Sequence, residues 1–306
     1  MAGRLLNKVA VVTGSSSGLG RAISLLYAKE GASVICSDLK PSANSLVPSE
    51  SDFSTHELIQ KTGGKSIFVR ADVSKAADVS GLIANAVEAF GRLDIMVNNA
   101  GVSLEAKDPQ PIHLTSESTW DITLAVNAKS VFLGCKYATA QMLKQPPHES
   151  GDRGWIVNMS SIKGLVGGPE NCKSDSEDLG FSLGRERKLM IKASYCASKG
   201  AVTSLTRQVA WDYAKHRIHV NAICPGCIFP LFFFCTIKSS KLISVTAIFE
   251  ETTTHMTPLE VLEERHPFGG PGVPNDIAKM AVVLASDDAS WVTGVNLPVD
   301  GGYTAR

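Results

Sequence analysis

Short apolar runs recur along the chain at Lys8–Thr13, Ser33–Asp38, Ser66–Arg70, Leu93–Val97, Trp155–Met159, His219–Ile223 and Val295–Val299. Between them lie amphipathic stretches of helical length: Gly18–Glu30, Ala76–Phe90, Trp120–Leu143, Tyr195–Lys215 and Asn275–Leu284. A strand that reads as nearly continuous Val, Ile and Ala, without polar alternation, is covered on both faces. Strands separated by helices pair in parallel through crossovers, since a tight hairpin is unavailable to them. The pattern therefore predicts an α/β fold, a doubly wound parallel sheet with helices on both sides. No internal repeat and no second apolar core interrupt it, so residues 1–306 read as a single domain.

Two stretches break the rhythm. CKSDSEDLGFSLGRERKLMIK, residues 172–192, is polar and charged, and FPLFFFCTIKSSKLISVTAIFE, residues 229–250, is apolar and β-branched. The second begins beside a Cys224/Cys227 pair and has the look of a membrane segment. However, Ala222–Ile237 offers 16 uncharged residues, two of them proline, against the roughly 20 that a spanning helix needs.

Thirty basic residues balance thirty acidic ones, which gives no field to attract nucleic acid or an anionic membrane surface. The N-terminus reaches Lys8 and a glycine-rich turn without a signal-like apolar region, so a cytoplasmic protein is expected. Seven cysteines, an odd number without framework spacing, fit reduced thiols. Asn158-Met-Ser160 matches a glycosylation sequon but closes an apolar strand, which makes it a chance match. His216 and His219 have an HxxH spacing with no third ligand evident, so no metal is expected.

After the first strand comes TGSSSGLG, Thr13–Gly20, which runs into a helix. Gly14, Gly18 and Gly20 permit a tight turn and let the backbone approach a pyrophosphate at the helix N-terminus. Asp38 ends the second strand 18 residues past Gly20, where a carboxylate accepts hydrogen bonds from ribose hydroxyls and repels a 2′-phosphate. That favours NAD; Arg21 and Lys40 keep NADP open. Asp72-Val73 follows the third strand, where the acid either binds an adenine amino group or caps the next helix. NNAG, Asn98–Gly101, closes the fourth strand with small residues.

Together with Asn127 in LAVNAKSVFLG, VNMSS ending at Ser161, YCASK from Tyr195 to Lys199, Pro225-Gly226 and VDGGY at 299–303, these motifs resemble the classical short-chain dehydrogenase/reductase family. The resemblance runs from Lys8 to Tyr303 and implies a Rossmann fold. It also implies an NAD(P)-dependent oxidoreductase that interconverts a secondary alcohol and a ketone, and a homodimer or homotetramer. The expected substrate is a small cyclic or polyketide-like molecule in a largely apolar pocket.

Tyr195 and Lys199 stand four apart and share a helix face, so the ammonium is expected to draw the phenol's pKa of about 10 toward neutrality. The resemblance implies that Tyr195 is the acid/base and that Ser161, rather than Ser160, hydrogen-bonds the substrate oxygen. It further implies that Asn127 holds a water in a relay to Lys199. For the cofactor it implies Gly14, Ser16, Ser17, Gly18, Leu19, Gly20, Asp38, Asp72, Val73, Asn99, Tyr195, Lys199, Ile228 and Thr252.

Thr252 enters that set only if residues 229–250 are excised, because PGCIFP carries Pro230 where the family has threonine. Excising 172–192 likewise brings Ser161 and Tyr195 to the family's usual separation. Both segments therefore read as translated introns, and Cys172-Lys173-Ser174 can be encoded around GTAAGT, a splice-donor sequence. Introns of this kind point to a eukaryotic gene and to secondary metabolism. The competing reading is two genuine lid insertions near the pocket, and the transcript sequence decides between them. Two rival functions remain: a catalytically impaired dinucleotide-binding protein on the same fold, and an epimerase or dehydratase related to the extended members of the family.

Overall fold

The computed structural model describes residues 3–42, 53–106, 110–167, 192–228 and 263–305. Nearly all of 172–192, all of 229–250, and Thr252 lie outside them. Seven strands form one sheet: β1 (Val9–Thr13), β2 (Ser33–Asp38), β3 (Ser66–Arg70), β4 (Ile95–Asn98), β5 (Gly154–Met159), β6 (Ile218–Pro225) and β7 (Asn296–Val299). They run parallel in the order β3-β2-β1-β4-β5-β6-β7. The doubly wound parallel sheet expected from the apolar periodicity is thus the observed fold.

All five β1 residues are buried, because the two-residue period sends them to opposite faces. Val9 and Val11 join one core layer, and Ala10 and Val12 the other. The second layer includes Ile23 and Tyr27 from helix α1 (Gly18–Lys29), and the Tyr27 hydroxyl reaches across to the Ala281 carbonyl at 2.9 Å.

Among the described residues the remaining α-helices are α2 (Thr55–Lys61), α3 (Ala76–Phe90), α4 (Glu117–Leu124), α5 (Ser130–Met142), α6 (Ala193–Tyr213) and α7 (Pro274–Leu284). Helix α2 did not emerge from the periodicity because it is short. Its local signal is a capping box in which Ser54 and Glu57 satisfy each other's backbone.

The stretch expected as one helix over Trp120–Leu143 is broken. A π-helical turn, Ala125–Lys129, separates α4 from α5 and carries Asn127. The HxxH pair also comes apart. Arg217 takes a left-handed conformation between the two histidines, which puts His219 on β6 with its ring nitrogens facing Asp152 (2.9 Å) and the Val292 carbonyl (3.1 Å). Asn158 is fully buried and donates to Thr206 Oγ1 at 3.0 Å, so its sequon faces the core.

Candidate active site

The glycine loop, the NNAG turn, the Ser160-Ser161 pair and the Pro225-Gly226 turn follow β1, β4, β5 and β6. They meet outside the carboxyl edge of the sheet, where the strand order reverses between β1 and β4.

Gly14 and Gly18 have φ of 66° and 55°, left-handed values that side chains disfavour. Gly20 is constrained by contact instead. A Cβ there would stand 2.1 Å from the Gly14 carbonyl oxygen and 2.6 Å from Asn99 Nδ2. Asn99 Nδ2 donates to the carbonyls of Thr13 (2.8 Å) and Gly14 (3.3 Å), which makes Asn99 a brace for the loop.

Ser16 ties the loop to β2, its N–H donating to Asp38 Oδ2 (3.2 Å) and its hydroxyl to the Lys40 carbonyl (2.7 Å). The Ser17 side chain makes no capping bond, and no acid stands in the first turn of α1. The helix therefore leaves its first amide donors without a side-chain cap, and its start is packed tightly against the Gly14 carbonyl at Gly20. That arrangement fits the pyrophosphate of a dinucleotide.

Around the adenosine end, Asp38 also accepts from the Leu39 N–H at 2.8 Å. Arg21, which the sequence left open as a partner for a 2′-phosphate, is turned inward. It is buried, and its Nη1 donates to Thr55 Oγ1 at 3.1 Å, while that hydroxyl donates to the Ser15 carbonyl. Asp72 accepts from the Ser74 hydroxyl (2.7 Å) and N–H (3.1 Å), and these bonds hold its carboxyl below the usual range. It therefore closes a local turn ahead of α3, with Val73 partly buried beside it. Ile228 is buried and bridges to Gly272.

On the chemical side the two serines part company. Ser160 donates its hydroxyl to the Lys199 carbonyl at 2.9 Å, whereas Ser161 Oγ accepts from the Lys163 N–H at 3.1 Å and lies near enough to the Tyr195 phenol to favour its ionised form. Gly164 lets this corner close, because a Cβ there would stand 2.6 Å from the Lys199 carbonyl oxygen. Lys199 Nζ lies 5.6 Å from the centroid of the Tyr195 ring.

The expected drop in the phenol's proton affinity is absent. Burial pushes Tyr195 up to about 12, with the Ser161 hydrogen bond partly offsetting it. Burial also pushes Lys199 down to about 8. The physical reason is burial, which disfavours the charged phenolate, while the Lys199 ammonium is engaged by the Met159 carbonyl at 2.8 Å.

Asn127 sits behind them, fully engaged. Its Nδ2 donates to the Val102 carbonyl (2.8 Å) and Ser198 Oγ (3.1 Å), and its Oδ1 accepts from the Val102 N–H (2.8 Å). Gly101 is packed between, where a Cβ would lie 3.2 Å from Asn127 Oδ1 and 3.7 Å from Lys199 Nζ.

Residues 8–173 match the short chain dehydrogenase family, and residues 181–304 match the enoyl-(acyl carrier protein) reductase description. The chain belongs to the classical short-chain dehydrogenase/reductase family. This dehydrogenase/reductase is 34% identical over 308 residues to 2-(S)-hydroxypropyl-CoM dehydrogenase 3 of Xanthobacter autotrophicus, with 100% of each chain covered. It is 34% identical over 307 residues to 2,5-dichloro-2,5-cyclohexadiene-1,4-diol dehydrogenase of Sphingobium indicum, covering 99% of each.

Among solved structures it resembles levodione reductase, with a TM-score of 0.75, 27% identity and 99% of each chain covered. It also resembles a short-chain type dehydrogenase/reductase from Mycobacterium marinum, with a TM-score of 0.76, 26% identity and 99% and 97% of the two chains covered. The protein is accordingly an oxidoreductase of alcohols and ketones from a family that binds NAD(P). Among the described residues no helix is long and apolar enough to cross a membrane, and the five described cysteines are free thiols.

Several residues that shape this dehydrogenase/reductase site escaped the motif reading. Thr55 is announced only by the Ser54/Glu57 capping box. Glu105 and Gly164 carry no local signal, since their partners lie far along the chain.

Proposed function

We propose that the enzyme interconverts a secondary alcohol and a ketone with Tyr195 as the acid/base, using NAD in preference to NADP. The observation that carries this reading is the placing of Tyr195 and buried Lys199 one helical turn apart, with Lys199 Nζ 5.6 Å from the Tyr195 ring and close to Gly101 of the NNAG turn. A dinucleotide held by its pyrophosphate at the glycine loop would supply or accept the hydride through its nicotinamide.

Ser161 and Tyr195 both donate to the substrate oxygen. In reduction the phenol gives its proton to that oxygen, and in oxidation the phenolate takes one from the alcohol. Burial that raises Tyr195 to about 12 keeps the phenol protonated and ready to donate at neutral pH. Forming the phenolate requires the Lys199 ammonium to turn from the Met159 carbonyl toward it. Lys199, held at about 8, then exchanges a proton with water. The side chain of Asn127 is committed to Val102 and Ser198, so its part in a water relay falls to its main-chain carbonyl in the π-helical turn.

The NAD preference rests on Asp38 at the end of β2 and on the inward turn of Arg21. A hydrogen bond to a charged group is worth about 1.5–3 kcal/mol. Replacing Asp38→Ser together with Leu39→Arg should therefore raise the ratio of kcat/KM for NADP over NAD by roughly 10–100-fold. An unchanged ratio in initial-rate assays removes Asp38 from cofactor selection.

The ring in the substrate named for the Sphingobium relative supports a small cyclic or polyketide-like substrate. The test is turnover of cyclohexanol, cyclohexane-1,2-diol and cyclohexanone with NAD or NADH, beside linear secondary alcohols of equal carbon number. Faster turnover of the linear compounds overturns the cyclic preference. NADH binding without turnover across the panel favours the impaired binding protein.

A further inference from the structure

Glu105 lies on the 3-10 turn Leu104–Ala106, shortly after the NNAG motif, and its side chain is buried at 3% exposure. Its two carboxylate oxygens are divided between two backbone donors. Oε1 accepts from the Ser194 N–H at 3.0 Å and Oε2 from the Tyr195 N–H at 2.9 Å.

These are the second and third residues of α6, the helix that carries Tyr195 and Lys199. The first bond within this helix runs from the Cys196 N–H to the Lys192 carbonyl, so the amides before Cys196 have no intrahelical acceptor. Lys192, at the N-cap position, provides no side-chain cap. A carboxylate 90 residues earlier in the chain does that work. It meets the positive end of a 21-residue helix with two charge-assisted hydrogen bonds.

The span of this bridge is what matters for chemistry. Asn99 and Gly101, a few residues before Glu105, brace the nucleotide loop and pack against Asn127 and Lys199. At the other end, the bond to the Tyr195 N–H fixes the backbone from which the phenol extends. One of the links from the cofactor wall to the phenol, beside the Asn127–Ser198 bond, thus runs through a buried carboxylate.

We propose that Glu105 is a positioning residue that sets the place of the Tyr195 phenol relative to the bound nucleotide. This rests on the reading of Tyr195 as the acid/base. Glu105→Gln keeps one acceptor oxygen and turns an amide against the other N–H. Glu105→Asp keeps the charge but is one methylene short of serving both donors.

The tests are hydrogen exchange of the full chain with NADH bound, and steady-state kinetics with the best substrate of the cyclic panel. In Glu105→Gln the Ser194 and Tyr195 amides should exchange at least tenfold faster, with the middle of α6 unchanged. Turnover should fall by about 10–100-fold while the Kd for NADH holds, and Glu105→Asp should recover part of that loss.

Unchanged amide protection overturns the proposal. So does a loss of turnover matched by an equal loss of NADH binding, or failure of both variants to fold, since either marks a purely structural role. If Tyr195→Phe is itself fully active, the acid/base reading fails. If Tyr195→Phe is inactive and both Glu105 variants turn over normally, only the positioning role fails.

Discussion

Tyr195→Phe lowers turnover by roughly three orders of magnitude, the scale of a lost general acid/base, and leaves the Kd for NADH nearly unchanged. The ring keeps its place because only the hydroxyl is removed. What disappears is the proton proposed to be delivered to the substrate oxygen. Cofactor affinity is spared because the glycine cradle is built from β1, α1 and the NNAG turn, none of which depends on that hydroxyl. Initial rates on the cyclic panel and a fluorescence titration with NADH read the two quantities separately. Retained turnover excludes Tyr195 as the acid/base, whatever the geometry suggests.

Gly20→Ala has the opposite signature. The new methyl must displace the Gly14 carbonyl, 2.1 Å away, and the Asn99 amide that braces the loop. Overpacking of this kind costs about 1–3 kcal/mol. Because the displaced atoms form the cradle, the cost falls on cofactor binding, and the Kd for NADH should rise by roughly 10–100-fold. Gly81→Ala is the matched control. It lies within α3, and a Cβ there meets nothing within 4 Å. Removing a mid-helix glycine should stabilise the fold by about 0.5–1 kcal/mol without touching the Kd. Equal affinity in the two variants means that the nucleotide does not bind against Gly20.

The sheet was legible in the sequence because a strand covered on both faces must be largely apolar along its length, as VAVVT is throughout and IHVNAIC is apart from His219 and Asn221. The break in the helix at Asn127 was not. LAVNAKSV holds no glycine or proline to mark a break, and Asn127 in the π-helical turn is held by Val102 and Ser198. Motif comparison alone could not separate the two adjacent serines either; the difference between them lies in a tertiary contact, the Ser160 hydroxyl donating to the Lys199 carbonyl on α6.

By itself the sequence determined the class of fold, the place of the nucleotide loop and the shared face of Tyr195 and Lys199. All of these follow from spacing within one element or between neighbours, where backbone geometry dictates the outcome. Only the tertiary structure decided that Arg21 turns inward, that Lys199 rests on the Met159 carbonyl, that the phenol is raised rather than lowered, and that Glu105 holds the head of α6. The phenol is raised by burial, and each of the others depends on a partner 34 to 90 residues away, brought close by the winding of the sheet and invisible to any local window.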